Sequence, residues 1–134
     1  MEIEYKDTKN FNEEDLQRLF LSVNWESGKY PDRLVRAMQN STHVISAWDH
    51  DRLVGLVRAL DDGETVAFIH YLLVDPEYHG LHIGDMLMKH LLKYLDKLLY
   101  VKIMPSDPKT IPFYERYGFK QYENYSAMEL KNFN

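Results

Sequence analysis

The stretch Val74-Asp75-Pro76-Glu77-Tyr78-His79-Gly80-Leu81-His82-Ile83-Gly84 decides how the chain folds. Before it, Thr65 to Val74 reads as a long strand. Its Tyr71-Leu72-Leu73-Val74 end is apolar on both faces, the mark of a central, doubly covered strand. Pro76 stops that strand. After it, Ile83, Leu87, Leu91, Tyr94 and Leu98 fall on one helical stripe, with Met86 and Leu95 beside it. The first amides of such a helix lack internal partners, its dipole favours negative charge, and glycines let backbone approach an anion closely. The loop has neither the Lys-Ser/Thr ending of a P-loop nor a GxGxxG pattern. A phosphate site and a tight strand-to-helix connection both fit this pattern.

Upstream, Glu2 to Lys6 alternates as a short first strand. Asn12 before Glu13, Glu14 and Asp15 reads as an N-cap with a carboxylate-rich first turn, and Leu16, Leu19, Phe20 and Val23 follow at helical spacing. Pro31 opens a second helix carrying Leu34, Val35 and Met38, and Asn40-Ser41 ends it. Thr42 to Asp49 and Arg52 to Leu60 read as strands around a His50-Asp51 turn, and Asp61-Asp62-Gly63 is a further turn. Downstream come a strand at Leu99 to Met104, a loop at Pro105 to Pro108 and a short helix at Thr110 to Tyr117. Gly118 fits the C-terminal position of that helix. Phe119 to Tyr122 and Ser126 to Leu130 read as a closing hairpin. The order is β-α-α-β-β-β-α-β-α-β-β. It predicts one α/β (α+β) domain over residues 1–134, built on a single mixed sheet.

A chain of 134 residues can bury about two-thirds of its surface, enough for a core without staples. Sixteen Lys plus Arg against 21 Asp plus Glu leave a net charge of −5. That argues against nucleic acid held on a broad basic surface and against a basic membrane-surface helix. No cysteine is present, which removes disulfides, thiolate metal sites and a cysteine nucleophile. The acidic Met1-Glu2-Ile3-Glu4 start is no signal peptide, and no apolar run approaches the roughly 18 residues of a membrane span. A cytoplasmic protein without membrane association is the expectation.

A second motif lies at Ile111-Pro112-Phe113-Tyr114-Glu115-Arg116-Tyr117-Gly118-Phe119. Alone it is a helix ending in a glycine cap with a hydrophobic anchor, and Tyr114 alone reads as a packing tyrosine. Together and in this order, the two segments resemble the GNAT superfamily of N-acetyltransferases. In that family a strand ending in V-x-P leads to a Q/R-x-x-G-x-G/A loop and a helix, and an FYE-x-x-GF helix follows. Here Val74-Asp75-Pro76 to Gly84 matches the first block. Phe113-Tyr114-Glu115 with Gly118-Phe119 matches the second. The resemblance covers nearly the whole chain. His79 stands where Gln or Arg is usual, His82 where the middle glycine is usual, and Asp107 near a frequent Asn. A side chain at position 82 is expected to need a negative φ.

The resemblance implies a mostly antiparallel sheet of six to seven strands with about four helices. Two parallel strands would splay beside a bulge to form a cleft for acetyl-CoA, and a backbone N–H at the bulge, near Leu72 to Val74, would polarise the thioester carbonyl. It implies that Leu72, Leu73 and Val74 offer backbone to the pantetheine arm. His79, Gly80, Leu81, His82, Ile83, Gly84 and Asp85 would surround the pyrophosphate, with Asp107, Phe113 and Tyr114 completing the cofactor site. Tyr114 is then the general acid for the departing thiolate, and acetyl passes directly to a primary amine in a ternary complex. The strand from Ala67 to Leu72 is similar to that of the serotonin N-acetyltransferases, whose histidine at this position takes part in proton removal. His70 is thus the candidate base, with a buried, neighbour-bonded histidine as the competing reading. Alternation places Phe68, His70 and Leu72 on one face.

Trp25 and Tyr30 flank the connection between the first two helices, a region that often walls the acceptor site in this family. Either also fits as a core anchor. Asp61 sits in an acidic turn that suits either a cationic acceptor or plain solvation. His79-x-x-His82 is too small a set to define a metal site, so no metal is expected. The acceptor would be a small-molecule amine or a peptide amine, and a homodimer stays open. The competing function is a GNAT-like acyl-CoA-binding or regulatory module with little catalysis, which rests on His82 in the loop.

Overall fold

The computed structural model describes residues 2–133, so both end residues of the expected 1–134 domain lie outside it. Five strands form one sheet in sequence order: β1 (Glu4–Lys6), β2 (His43–Asp49), β3 (Arg52–Asp61), β4 (Val66–Val74) and β5 (Tyr100–Ile103). The first three neighbouring pairs are antiparallel, and β4–β5 is parallel. The helices are α1 (Glu13–Ser22), α2 (Pro31–Gln39), α3 (Ile83–Tyr94) and α4 (Ile111–Glu115). Single 3-10 turns at Glu26–Lys29, Pro76–Tyr78 and Pro108–Thr110 were not legible in the sequence.

The helix starts follow local chemistry. Asn12 caps α1 by accepting from the Asp15 amide at 2.8 Å, and Pro31 opens α2, where its missing N–H costs nothing. Alternation on the strands then sorts side chains to two faces. On one face Val57, Ala59 and Ile69 pack under Leu87, Met88 and Leu91 of α3. On the other, Leu53, Leu56 and Leu73 pack under Leu16, Phe20 and Met38 of α1 and α2. A glycine sets the first contact: a Cβ on Gly55 would meet Ile83 Cγ2 at 3.1 Å and Leu87 Cδ1 at 3.2 Å, so only hydrogen lets α3 lie this close to β3.

Two expectations about these elements need correction. The closing hairpin is absent: no strand forms over 119–130 among the described residues, so the sheet has five strands instead of six or seven. Beyond Phe119, residues 120–130 are exposed throughout, Met128 and Leu130 at 92% and 85%, and a hairpin without burial is marginal in water. The α3 stripe is also rotated from the expected one. Met88 and Leu95 are buried, whereas Tyr94 is half exposed, stacks on His43 and donates from its hydroxyl to Asp7 at 3.1 Å. The helix ends at Tyr94, so Leu98 lies beyond it.

Candidate active site

The parallel pairing of β4 with β5 runs from Val66 opposite Tyr100 to Ile69 opposite Ile103 and then stops. β5 ends there, while β4 continues through Val74. Among the described residues, the β5-facing edge of β4 from His70 onward has no strand partner.

The other edge of β4 breaks register at the same place. Arg58 faces His70 and Leu56 faces Leu73, so one β3 residue stands against two β4 residues, Tyr71 and Leu72. This is a β-bulge, and Tyr71 takes the left-handed conformation with φ 60°. The bulge reverses side-chain parity. His70 and Tyr71 both lie on the α1/α2 face, while Leu72 and Val74 pack with the α3 cluster. The expected alternation of Phe68, His70 and Leu72 is therefore wrong at Leu72, because the extra residue sends it to the opposite face.

Tyr71 is held on every side. Phe20 meets it edge-on at 4.9 Å, Trp25 lies at 6.0 Å, and His70 stacks on it at 3.8 Å. Its hydroxyl shares a hydrogen bond of 2.9 Å with Ser27 Oγ. The Arg58 guanidinium lies 4.7 Å from its ring centre. An aromatic residue at positive φ costs about 1–3 kcal/mol and persists only where its surroundings over-determine it, as here.

The glycine loop is anchored at its start. Asp75 is buried, accepts from the Glu77 amide at 2.9 Å and pairs with Arg52 at 3.3 Å. Tyr78 donates to Asp49. Gly80 has φ 84°, and His82 has φ 61°. The negative φ looked for at His82 is not found: the backbone takes the left-handed form that glycine would supply, with the side chain exposed. Among the described residues, no hydrogen bond uses the amides of 80–85, and the α3 ladder begins with Met86 donating to the His82 carbonyl at 3.1 Å. Six consecutive free donors at a helix start form a strong anion-attracting field. Asp85 lies among them, but Lys89 at 3.3 Å and Arg116 at 3.8 Å offset its charge.

Val74, Gly84 and Phe113 meet, since a Cβ on Gly84 would lie 3.8 Å from Phe113 Cζ and 4.0 Å from Val74 Cγ2. His79 Nε2 donates to the Val74 carbonyl at 3.0 Å. Tyr117 ties α4 to α3 by donating to the Asp85 carbonyl at 3.4 Å. Tyr114 is buried, and burial pushes its hydroxyl above the ordinary value of 10.0. It lines a groove of about 600 Å³ that runs along the outer side of β5 with Val101, Ile103 and Phe119.

The structure thus brings Leu72, Val74, the loop, Phe113 and Tyr114 to the α3 side. It gathers Trp25, Tyr30, His70 and Tyr71 on the α1/α2 side, where Tyr30 and Tyr71 line a pocket of about 210 Å³. Leu73 is packed under α1 and α2. Asp61 and Asp107 stand apart from both groups. Asp61 lies beside His43 at 3.3 Å on the α3 face, and Asp107 caps its own turn by accepting from the Lys109 amide at 3.0 Å. Leu81 is exposed. Among the described residues, no three His, Asp or Glu side chains gather to hold a metal, and no helix is long and apolar enough to cross a membrane.

His70 differs most from its expected role. Its Nδ1 accepts from Arg58 Nη2 at 2.9 Å, which puts the ring proton on Nε2. Burial first, and the Arg58 charge second, hold its pKa down to about 4. The lone pair a base would use is occupied by a permanent donor. Sequence reasoning missed Arg58, although a lone charge within Gly55-Leu56-Val57-Arg58-Ala59-Leu60 was its signal.

Comparison with known proteins agrees with this geometry. Residues 9–119 match the acetyltransferase (GNAT) family. The chain is 34% identical over 128 residues to the uncharacterized N-acetyltransferase ycf52 of Porphyra purpurea, covering 87% of this chain and 72% of that one. It superposes on the GNAT family protein SP0256 of Streptococcus pneumoniae with a TM-score of 0.80 at 28% identity, over 99% and 98% of the two chains. SA2161 of meticillin-resistant Staphylococcus aureus gives a TM-score of 0.87 at 25% identity, over 97% and 99%. The match across most of the chain, the bulged β4 and the free loop amides belong together: this chain is a member of the GNAT family of acetyltransferases.

Proposed function

We propose that the chain transfers an acetyl group from acetyl-CoA to a primary amine by direct attack within a ternary complex. The observation that carries this reading is the parting of β4 from β5 just beyond Ile69 and Ile103, beside six free loop amides. The opened edge from Leu72 to Val74 suits an amide-bearing arm, which would add to it as a short strand. The amides of 80–85 suit a pyrophosphate and need no basic surface, so an acidic protein can hold an anionic co-substrate. Acetyl-CoA supplies the activated thioester.

The chain's own groups then do three things. Backbone N–H groups at the bulge polarise the thioester carbonyl. Tyr114, protonated throughout the neutral range, gives a proton to the departing sulfur. The amine arrives neutral or loses its proton to water, while His70, with its lone pair held by Arg58, presents an Nε2–H donor toward the acceptor side. The alternative of a binding module without catalysis rested on an obstructed loop. His82 takes φ 61° and keeps its side chain exposed, so acetyl-CoA binding and turnover decide between the two readings.

Titration calorimetry with acetyl-CoA, followed by thiol release over a panel of amines, tests this function. Acetyl-CoA binding with turnover of at least one amine is expected. Binding without turnover would favour the module, and absence of acetyl-CoA binding would defeat both readings.

A further inference from the structure

Three partly buried arginines each leave Nε without a partner: Arg18, Arg52 and Arg58. Two of them have a carboxylate, Arg18 with Asp15 at 3.0 Å and Arg52 with Asp75 at 3.3 Å. Arg58 has none among the described residues. Its contacts are neutral: His70 Nδ1 at 2.9 Å, Ser41 Oγ at 3.3 Å and the face of Tyr71. A guanidinium keeps its charge even when partly desolvated, so this one lacks the counter-charge that would offset its burial.

The surrounding wall is equally short of acid. The pocket beside Tyr71 is lined by Ser27, Tyr30, Arg33 and Phe133 among others, with no carboxylate. Arg33 adds a second guanidinium, 6.0 Å from the Tyr30 ring. Asp61 is on the other face, and Glu26 is turned toward Lys131 at 3.7 Å. The net charge of −5 is therefore not expressed on this wall.

We propose that this wall selects amines that also carry an anionic group, a carboxylate or a phosphate, and that Arg58 supplies its counter-charge. The inference rests on the transferase reading above. Arg58 faces His70, two to four residues before the Leu72–Val74 edge. At the strand rise, His70 and the Leu72–Val74 edge lie about 7–13 Å apart along β4. Such a span fits a compact bifunctional molecule. A guanidinium fork also matches both anion types in two-point contact.

The test uses matched pairs on the intact chain: glucosamine 6-phosphate against glucosamine, and an amino acid against its amide, with spermidine as a purely cationic acceptor. Turnover is read by thiol release, and binding to the CoA complex by calorimetry. In at least one pair the anionic member should be favoured tenfold or more, by kcat/KM or by Kd. The pair that responds identifies phosphate or carboxylate. Arg58→Gln should bring that ratio within about twofold, and Arg58→Lys should keep part of it. Equal treatment of both pairs, preference for spermidine, failure of every anionic member to bind, or an unchanged ratio in Arg58→Gln would each overturn the proposal. Acetyl-CoA binding without turnover would count against the transferase reading alone, since the Kd ratios still decide the anion question.

Discussion

The hydroxyl of Tyr71 and Oγ of Ser27 lie 2.9 Å apart across 44 residues of sequence, joining the β4 bulge to the connection between α1 and α2. This bond ties the proposed acceptor wall to the proposed cofactor edge. Tyr71→Phe and Ser27→Ala should each lower stability by about 0.5–1.5 kcal/mol, the usual net value of such a bond. Kinetically, both should raise KM for the amine more than Kd for acetyl-CoA. Denaturant melts with steady-state kinetics check this. A change confined to acetyl-CoA affinity would contradict the linkage.

Tyr114→Phe removes the proposed proton donor while keeping the ring packed against Phe113 and Phe119. The rate should drop on the order of a hundredfold or more, the range of general acid catalysis, with acetyl-CoA affinity held within about twofold. The sign of the pH effect follows from the raised pKa. The hydroxyl is protonated below it, so wild-type activity falls only above pH 10.0, and the variant loses that alkaline limb. An identical limb in the variant would exclude Tyr114 as the donor.

His70 makes stability depend on acid. Its pKa is about 4 in the fold against 6.5 unfolded, so between these values the unfolded chain binds the extra proton. Stability from this site is full above pH 6.5, declines as pH falls toward 4 and is lost below it. In His70→Gln the Tm should decline less over that window. Because His70 is neutral through the neutral range, any acidic limb of the rate profile should be the same in the variant. Loss of the limb would restore His70 as the base.

His82 tests the loop backbone. His82→Gly keeps the left-handed form without a Cβ, so stability should change by no more than about 1 kcal/mol and acetyl-CoA affinity should hold. His82→Val puts a branched Cβ at φ 61° and should lose about 1–2 kcal/mol and weaken acetyl-CoA binding. Equal behaviour of the two variants in melts and calorimetry would show that φ at this position does not matter.

The strand–loop–helix unit was legible because its signals are local: Pro76 ends a strand, and an apolar stripe follows Ile83. The resemblance implies a bulge near Leu72 to Val74, but its place at Tyr71 was not legible, because no glycine marks it. Tyr71 holds a positive φ through partners from α1, from the connection to α2 and from β3, all distant in sequence. Arg58 escaped notice for a similar reason: its meaning comes from facing His70 across strands. The closing hairpin shows the opposite error. Residues 126–130 have the composition of a strand, but alternation does not supply a surface to cover.

The parity change at Tyr71 re-sorts β4 between two faces: Phe68, His70, Tyr71 and Leu73 serve the α1/α2 side, and Ala67, Ile69, Leu72 and Val74 serve the α3 side. Substitutions at Phe68 or His70 alter only the α1/α2 face, while those at Leu72 or Val74 alter only the α3 face. Under the proposed function, changes in acceptor choice can therefore accumulate on one face without eroding cofactor binding on the other. A single-residue deletion at the bulge would flip the side chains beyond it to the opposite sides and disrupt both faces at once.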